Sequence, residues 1–448
     1  MHRKLFYGLN FALVLAFAWS ICVDYSAGWR KYQKEYWLRQ AQYFEKQAGE
    51  ATDPAEKDKL LKQAKAARHE PLVVRQIIAR DLGRVDRCVS CHVGMDEFAN
   101  PSMTTPFAEH PYTAHPDMAV IGKKHSFQKY GCTVCHQGQG LATEKADAHG
   151  KVHHWEKPML EGKLMQASCA KCHQNFHEVK GAETVAMGDA LFHKHGCVGC
   201  HAIRGQGGVV SVDLGNIADK PLERIARYNL SLIKKDGKPL PEDDWNLQEW
   251  IYAHLSQRPS DFIPNDPFAK FNKEPIAPSG MPDFSEELPE GGAQAITAYL
   301  MSMSDENIPM RYAVAQAPKP EPKFASAVEH GKFVFNKFGC AGCHGLEAKA
   351  GRANFNATGD GQDAEKGLET DMDKGREPTL RKTAGTYSRD ELRNKIQNGV
   401  SSAAITKFNQ NGPTPPLYMP AWKDKVKGQE LEDLISYLQS IAEKGEPW

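Results

Sequence analysis

Five pentapeptides in this chain have the form Cys-x-x-Cys-His: Cys88–His92, Cys132–His136, Cys169–His173, Cys197–His201 and Cys340–His344. Two thiols three residues apart share one face of a helical turn, and the next residue is an imidazole. This is the attachment pattern of a c-type haem. The thiols bond to the porphyrin edge and the histidine takes the iron. Paired cysteines alone would also suit zinc or a disulfide. Five copies, each with His as the next residue, point to haem. The attachment residues are then Cys88, Cys91, Cys132, Cys135, Cys169, Cys172, Cys197, Cys200, Cys340 and Cys343, with His92, His136, His173, His201 and His344 as iron ligands. Five covalently bound haem c groups are expected, and electron movement as the work of the chain. The eleventh cysteine, Cys22, lies in an apolar stretch and is expected to be a buried thiol.

The elements that carry these motifs fall into distinct stretches. Leu5–Val23 is apolar enough for a membrane-spanning helix. Ala16-Phe17-Ala18 would allow a cleaved signal peptide, but the apolar run continues through Trp19, Ile21 and Val23 and favours an anchor in residues 1–28. Flanking charges orient it poorly, since Arg3 and Lys4 precede it and Arg30, Lys31 and Lys34 follow. Covalent haem attachment places everything beyond it on the periplasmic side of a bacterial inner membrane. Residues 29–70 read as a helical stalk: a helix over 29–48 with Tyr32, Tyr36, Tyr43 and Phe44 at helical spacing, then one over 54–68 capped by Asp53. The aromatic stripe suits either a membrane-side partner or packing against the haem region. Residues 71–182 hold three motifs among short loops and many histidines, and are expected to form an irregular trihaem module.

The rest of the chain repeats itself. GDALFHKHGCVGCH from Gly188 aligns without a gap on GKFVFNKFGCAGCH from Gly331, and each is followed by a long loop, a Met-Pro step and an amphipathic helix, over 291–303 and 428–442. Two domains follow, 183–312 and 326–448, joined by a Pro-rich linker over 313–325. Met281 and Met419, in the Met-Pro steps, are the candidate sixth ligands. A thioether opposite the histidine would raise the potential above that of a bis-imidazole haem. His193 and His195 are expected at the surface or behind the ligands. An acidic insert, Gly351–Pro378, reads as a solvated loop. The overall expectation is a mainly α protein: an anchor helix, a trihaem module and two tandem haem domains.

Each repeat resembles a class I cytochrome c, in which an N-terminal helix carrying Gly and an aromatic four residues on (Gly188/Phe192, Gly331/Phe335) crosses a C-terminal helix at an aromatic-Leu pair (Tyr299-Leu300, Tyr437-Leu438). Over residues 25–180, RVDRCVSCHVG, YGCTVCHQGQG and HHWEKPML…ASCAKCH are similar to membrane-anchored multihaem cytochrome c subunits of Rieske/cytochrome b quinol-oxidising complexes. That resemblance implies a respiratory complex as partner.

Residues 69–180 also contain His69, His110, His115, His125, His149, His153, His154 and His177. Three of these are needed if the first three haems are bis-imidazole. The favoured set is His115, His125 and either His149 or His154, with Met159 as a competitor. Lys+Arg and Asp+Glu balance at 56 each, so no nucleic-acid surface is expected. The function expected is a membrane-anchored pentahaem electron carrier between a quinol-oxidising complex and a periplasmic or membrane acceptor. The alternative is a multihaem redox enzyme, peroxidase-like or nitrogen-oxide reductase-like, with one open haem site.

Overall fold

The computed structural model describes residues 2–95, 107–116, 122, 124–152, 155–225, 227–262, 281–317, 322–349, 380–400 and 418–443. The acidic insert over 351–378 and His153 and His154 lie outside them. The chain is mainly helical and divides into two compact units, Met1–Glu161 and Gly162–Trp448.

In the first unit, helix α1 (His2–Tyr25) has a mean hydropathy of 1.9 over its most apolar window, and none of that window is buried by protein. At 1.5 Å per residue its 24 residues reach about 36 Å, enough to cross a hydrocarbon core. Cys22 is exposed on this helix, contrary to the expectation of a buried thiol. Its surroundings are apolar along the sequence, but no protein surface in the unit packs over it.

Helix α2 (Gly28–Glu50) begins three residues after α1. Arg30 crosses the junction, donating to the Asp24 carboxylate and carbonyl at 2.9 Å each and lying over the rings of Tyr25 and Trp29. The buried face of α2 is Trp29, Gln33, Tyr36, Trp37, Ala41 and Ala48, a stripe at helical spacing. Tyr36 and Trp37 pack with Val93, just after the first motif, and with Ala67 and Tyr112, while Tyr43 stays exposed. Packing against the motif-bearing segment therefore accounts for the inner part of the aromatic stripe.

Helix α3 (Pro54–Arg68) starts where the sequence predicts. The Asp53 side chain accepts from Ala55 N–H at 3.0 Å, and proline fills the first helical position, where no N–H is needed. Ala64 and Ala67 let α3 lie close along α2, and Arg68 pairs with Glu45 at 2.9 Å. Strands β1 (Ile77–Ala79) and β2 (Arg84–Asp86) form a small antiparallel hairpin leading into the first motif.

In the second unit, two helix crossings repeat the same geometry. Helix α4 (Glu183–Lys194) packs on α6 (Gly292–Met301), and α7 (Ala327–Lys337) packs on α9 (Gly428–Ser440). Helices α5 (Leu247–Ser256) and α8 (Arg389–Asn398) complete the respective repeats. At the first crossing Gly188 meets the Ala295 carbonyl and Tyr299, with Phe192 and Tyr299 ring centroids 5.5 Å apart. At the second, Gly331 meets the Asp433 carbonyl and Tyr437, with Phe335 and Tyr437 at 5.6 Å. A Cβ on either glycine would fall well inside contact distance of the facing carbonyl, so only glycine permits this approach.

The third motif lies in this second unit, whereas residues 71–182 were grouped from composition as one module. Long-range contacts explain the difference. Val314 N–H donates to the Cys172 carbonyl at 2.7 Å and Gln174 N–H to the Val314 carbonyl at 2.9 Å, so the start of the Pro-rich segment is tied to the motif.

Gly331→Ala should destabilise the second repeat by about 1–3 kcal/mol, the usual cost of overpacking a tight contact. A denaturant midpoint equal to that of the unmodified protein would show that the crossing is looser than the structure has it.

Candidate haem-attachment sites

All five motifs adopt one backbone form. The histidine N–H donates to the carbonyl of the first cysteine, at 2.9 Å for His92, His173 and His201 and 3.0 Å for His136 and His344. This single helical turn puts both thiols and the imidazole on one side of the loop. The cysteines of each pair are not joined as disulfides. The two variable positions of each turn are left to face the protein, and in each motif at least one of them is bound to a distant part of its own unit.

At the first motif, buried Ser90 donates to the Arg75 carbonyl at 2.8 Å and accepts from Arg75 N–H at 2.9 Å. Buried Gln33, from α2, donates to the carbonyls of Val73 and Ser90 at 2.6 and 3.1 Å and accepts from Val73 N–H. At the second motif, Asp86 is buried and its carboxylate accepts from Cys132 N–H (2.5 Å), Thr133 N–H (3.0 Å) and the Thr133 hydroxyl (2.7 Å). At the third, Lys171 pairs with Glu306 at 3.0 Å with its side chain only 5% exposed. At the fourth and fifth the second variable residue is Gly199 or Gly342, and each packs against the other repeat's motif loop.

The histidines are held ready to bind a metal. Burial pushes His92 down to about 4, helped by His149, His110 and His136 nearby, and pushes His136 to about 4 with His115 next in influence. Both imidazoles are therefore neutral at pH 7, the form that coordinates iron. His201 Nδ1–H donates to the Val212 carbonyl at 2.9 Å; because a carbonyl can only accept, Nε2 is left as the ligating nitrogen.

The structure places some of the candidate sixth ligands beside motif histidines. His115 and His136 face one another with ring centroids 6.0 Å apart and planes at 75°. Two imidazoles bonded on opposite sides of one metal ion at about 2 Å each would place their centroids roughly 6 Å apart, so this spacing fits a haem iron between them. His115 Nδ1–H donates to the Pro116 carbonyl, again leaving Nε2 available. After burial, His149 is the neighbour that most influences His92, and its carbonyl accepts from the Met159 N–H at 2.9 Å. His125 packs on Tyr130 at 5.1 Å, and His177 bonds Asp189 at 2.6 Å.

In the second repeat, His344, Cys340 and Cys343 line an apolar pocket together with Met419, walled by Phe335, Leu392, Ile396, Trp422, Leu434 and Leu438. Apolar walls around a few convergent ligating groups suit an apolar cofactor such as haem. Gly399, at φ +62°, lets the Met419-Pro420 backbone come within contact of the end of α8. In the first repeat, Met281 is partly buried. His254 on α5 was not singled out from sequence. Its Nδ1–H donates to the Trp250 carbonyl at 2.7 Å, and it packs between the rings of Trp250 and Phe262. Burial pushes it down to about 4, with His201 among the groups that influence it. Its i−4 bond to Trp250 is ordinary for a helical histidine, which is why no pattern marked it. His195 is buried at 1% exposure beside Phe284, not at the surface, while His193 is exposed and bonded to the Asp189 carbonyl.

Asp86→Ala should cost about 3 kcal/mol, since two backbone N–H groups and a hydroxyl lose a buried carboxylate. Peptide mass spectrometry should show haem occupancy falling at Cys132/Cys135 before Cys88/Cys91. Equal occupancy at both would refute this role for Asp86.

No curated protein and no solved structure matches the chain. The family model for cytochrome c matches twice, over residues 185–304 and 328–442, just over half of the 448 residues and coincident with the two repeats. The chain thus belongs to the cytochrome c family, with tandem domains that bind haem c covalently and serve electron transfer.

Proposed function

We propose that the chain is a membrane-anchored, periplasmic pentahaem cytochrome that takes electrons from a quinol-oxidising complex of the Rieske/cytochrome b type and passes them to a periplasmic or membrane acceptor. The observation that carries the reading is the common backbone turn of all five motifs, each presenting two thiols and an imidazole on one side. Nothing in their local geometry separates the three motifs outside the family match from the two within it. The anchor rests on α1, long and apolar enough to cross a bilayer and unburied by protein. The quinol-oxidising partner rests on the resemblance of residues 25–180.

When bound, haem supplies a one-electron change at iron. The residues of the chain determine at what potential it occurs. His115 and His136 would hold one iron between two imidazoles, and His149, which influences His92 electrostatically, is the candidate partner for His92. Met419 lines the same pocket as His344 and would supply a thioether. Imidazole pairs near the anchor and thioethers in the repeats would order the potentials outward, low to high.

Absorbance of the alkaline pyridine derivative against protein mass should give five haems per chain; three or fewer would sink the pentahaem reading. A redox titration should resolve a lower group and a higher group. Met419→His should lower one of the higher potentials by on the order of 0.1 V, a modest part of the ~0.8 V that axial ligands span. One common potential for all haems would contradict the ordering.

A second reading of the first repeat is favoured by His254, a neutral buried imidazole within electrostatic reach of His201. It would make that haem bis-imidazole in place of His201/Met281. The far-red sulfur-to-iron absorption of the oxidised protein separates the two. In Met159→Leu/Met419→His this band should persist if Met281 is a ligand, and vanish if His254 is.

A further inference from the structure

The attachment loops of the two cytochrome c repeats face each other. Gly196 of the first repeat lies against Gly342 of the second, and Gly199 lies against Gly339. A Cβ on Gly196 would overlap Gly342 N, and one on Gly342 would overlap the Gly196 carbonyl. A Cβ on Gly199 would overlap the Gly339 carbonyl, and one on Gly339 would overlap Gly199 N. In the repeat alignment Gly196 corresponds to Gly339 and Gly199 to Gly342. Each loop therefore touches the other in a reciprocal, two-fold manner, as in an isologous dimer interface. Cys200 and Cys343, equivalent residues, meet across this axis with their sulfurs 3.9 Å apart. At the rim the Lys425 ammonium donates to the Gly207 carbonyl, fastening the second repeat to the loop after the first repeat's motif.

The glycines separate into two kinds. Gly196 and Gly339 have φ of +74° and +69°, so their own backbone requires glycine. Gly199 and Gly342 have no positive φ and sit in short helical turns where alanine or valine fits the backbone. What excludes a side chain there is the opposing loop. The corresponding positions in the other three motifs are Ser90, Val134 and Lys171, so glycine at this place is confined to the two repeats.

We propose that this glycine contact locks the two repeats into a fixed dihaem pair, in which the sulfurs of Cys200 and Cys343 bring the two haem edges together for direct electron exchange. In the exchange a ferrous haem on one repeat becomes ferric and the ferric haem on the other becomes ferrous. One electron moves, no bond changes and no proton is needed. The proposal rests on the haem c of the two family-matched domains and is independent of the five-haem count, the anchor and the quinol partner.

The test cuts the full-length, haem-loaded protein at a protease site placed between residues 317 and 322. The cut pieces should stay together on size exclusion, and electron paramagnetic resonance of the oxidised protein should show magnetic broadening between the two repeat haems. Gly199→Val and Gly342→Val should keep both haems, weaken association of the cut pieces at least tenfold and sharpen the two signals to those of isolated haems. Wild-type pieces that separate freely, or valine variants with unchanged association and broadening, would overturn the proposal. Should the valine variants lose haem, Gly199→Ala and the cut wild-type protein decide it by the same two readouts.

Discussion

The constraint on which the structure depends is the geometry of one helical turn. Two thiols at i and i+3 and an imidazole at i+4 are brought to one side of the loop, and the His N–H bond to the first cysteine carbonyl enforces this in all five motifs. That leaves each motif only its two variable residues with which to hold on to the rest of the chain. The protein has solved this differently each time. Ser90 is bonded to the backbone of Arg75 and backed by Gln33; Thr133 is held by a buried carboxylate; Lys171 forms a nearly buried ion pair; Gly199 and Gly342 give up side chains altogether so that backbone meets backbone. A buried hydrogen bond left unmade costs about 1–3 kcal/mol, so each of these contacts fixes the orientation of its loop more firmly than apolar packing alone would.

Much of this was legible in the sequence where the cause was local. The attachment turns follow from residue spacing, and the start of α3 follows from Asp53 and Pro54. The crossings of α4 with α6 and of α7 with α9 follow from the resemblance of each repeat to a class I cytochrome c, carried by its Gly-aromatic and aromatic-Leu pairs. What sequence concealed depended on distant partners. Composition grouped the third motif with the first two, but Lys171–Glu306 and the Val314 backbone bonds join it to the second unit. His254 and His195 carry no local signature that separates a buried imidazole from an exposed one. Cys22 was expected to be buried since apolar neighbours usually mean a protein core, whereas α1 has no protein packed over it.

The histidines show how burial prepares a site for metal before any metal binds. An imidazole that carried a proton would have to lose it to coordinate iron. Placing His92, His136 and His254 among apolar groups disfavours the charged form, and carbonyl acceptors at Nδ1 of His201, His254 and His115 fix which nitrogen faces inward. The same low-dielectric surroundings penalise a net positive charge on ferric haem, so burial and ligand choice act together on potential. As ligands, a thioether at Met419 and an imidazole at His115 would shift that balance in opposite directions.

Duplication explains why the repeats meet at their motifs. Two copies of one domain already share a surface that is self-complementary if it can approach itself across a two-fold axis, and any change that improves the contact in one half is matched by its counterpart in the other. The attachment loop suits that role because its turn is short, and its backbone is brought to the domain surface by the need to expose both thiols to one side. Removing the side chain at its second variable position is then sufficient for close approach. Glycine is costly in a helical turn by roughly 0.5–1 kcal/mol relative to alanine, and Gly199 and Gly342 incur that cost without any backbone strain to justify it. The compensation is found across the axis, where the loop of the other repeat fills the space and the two cysteines meet.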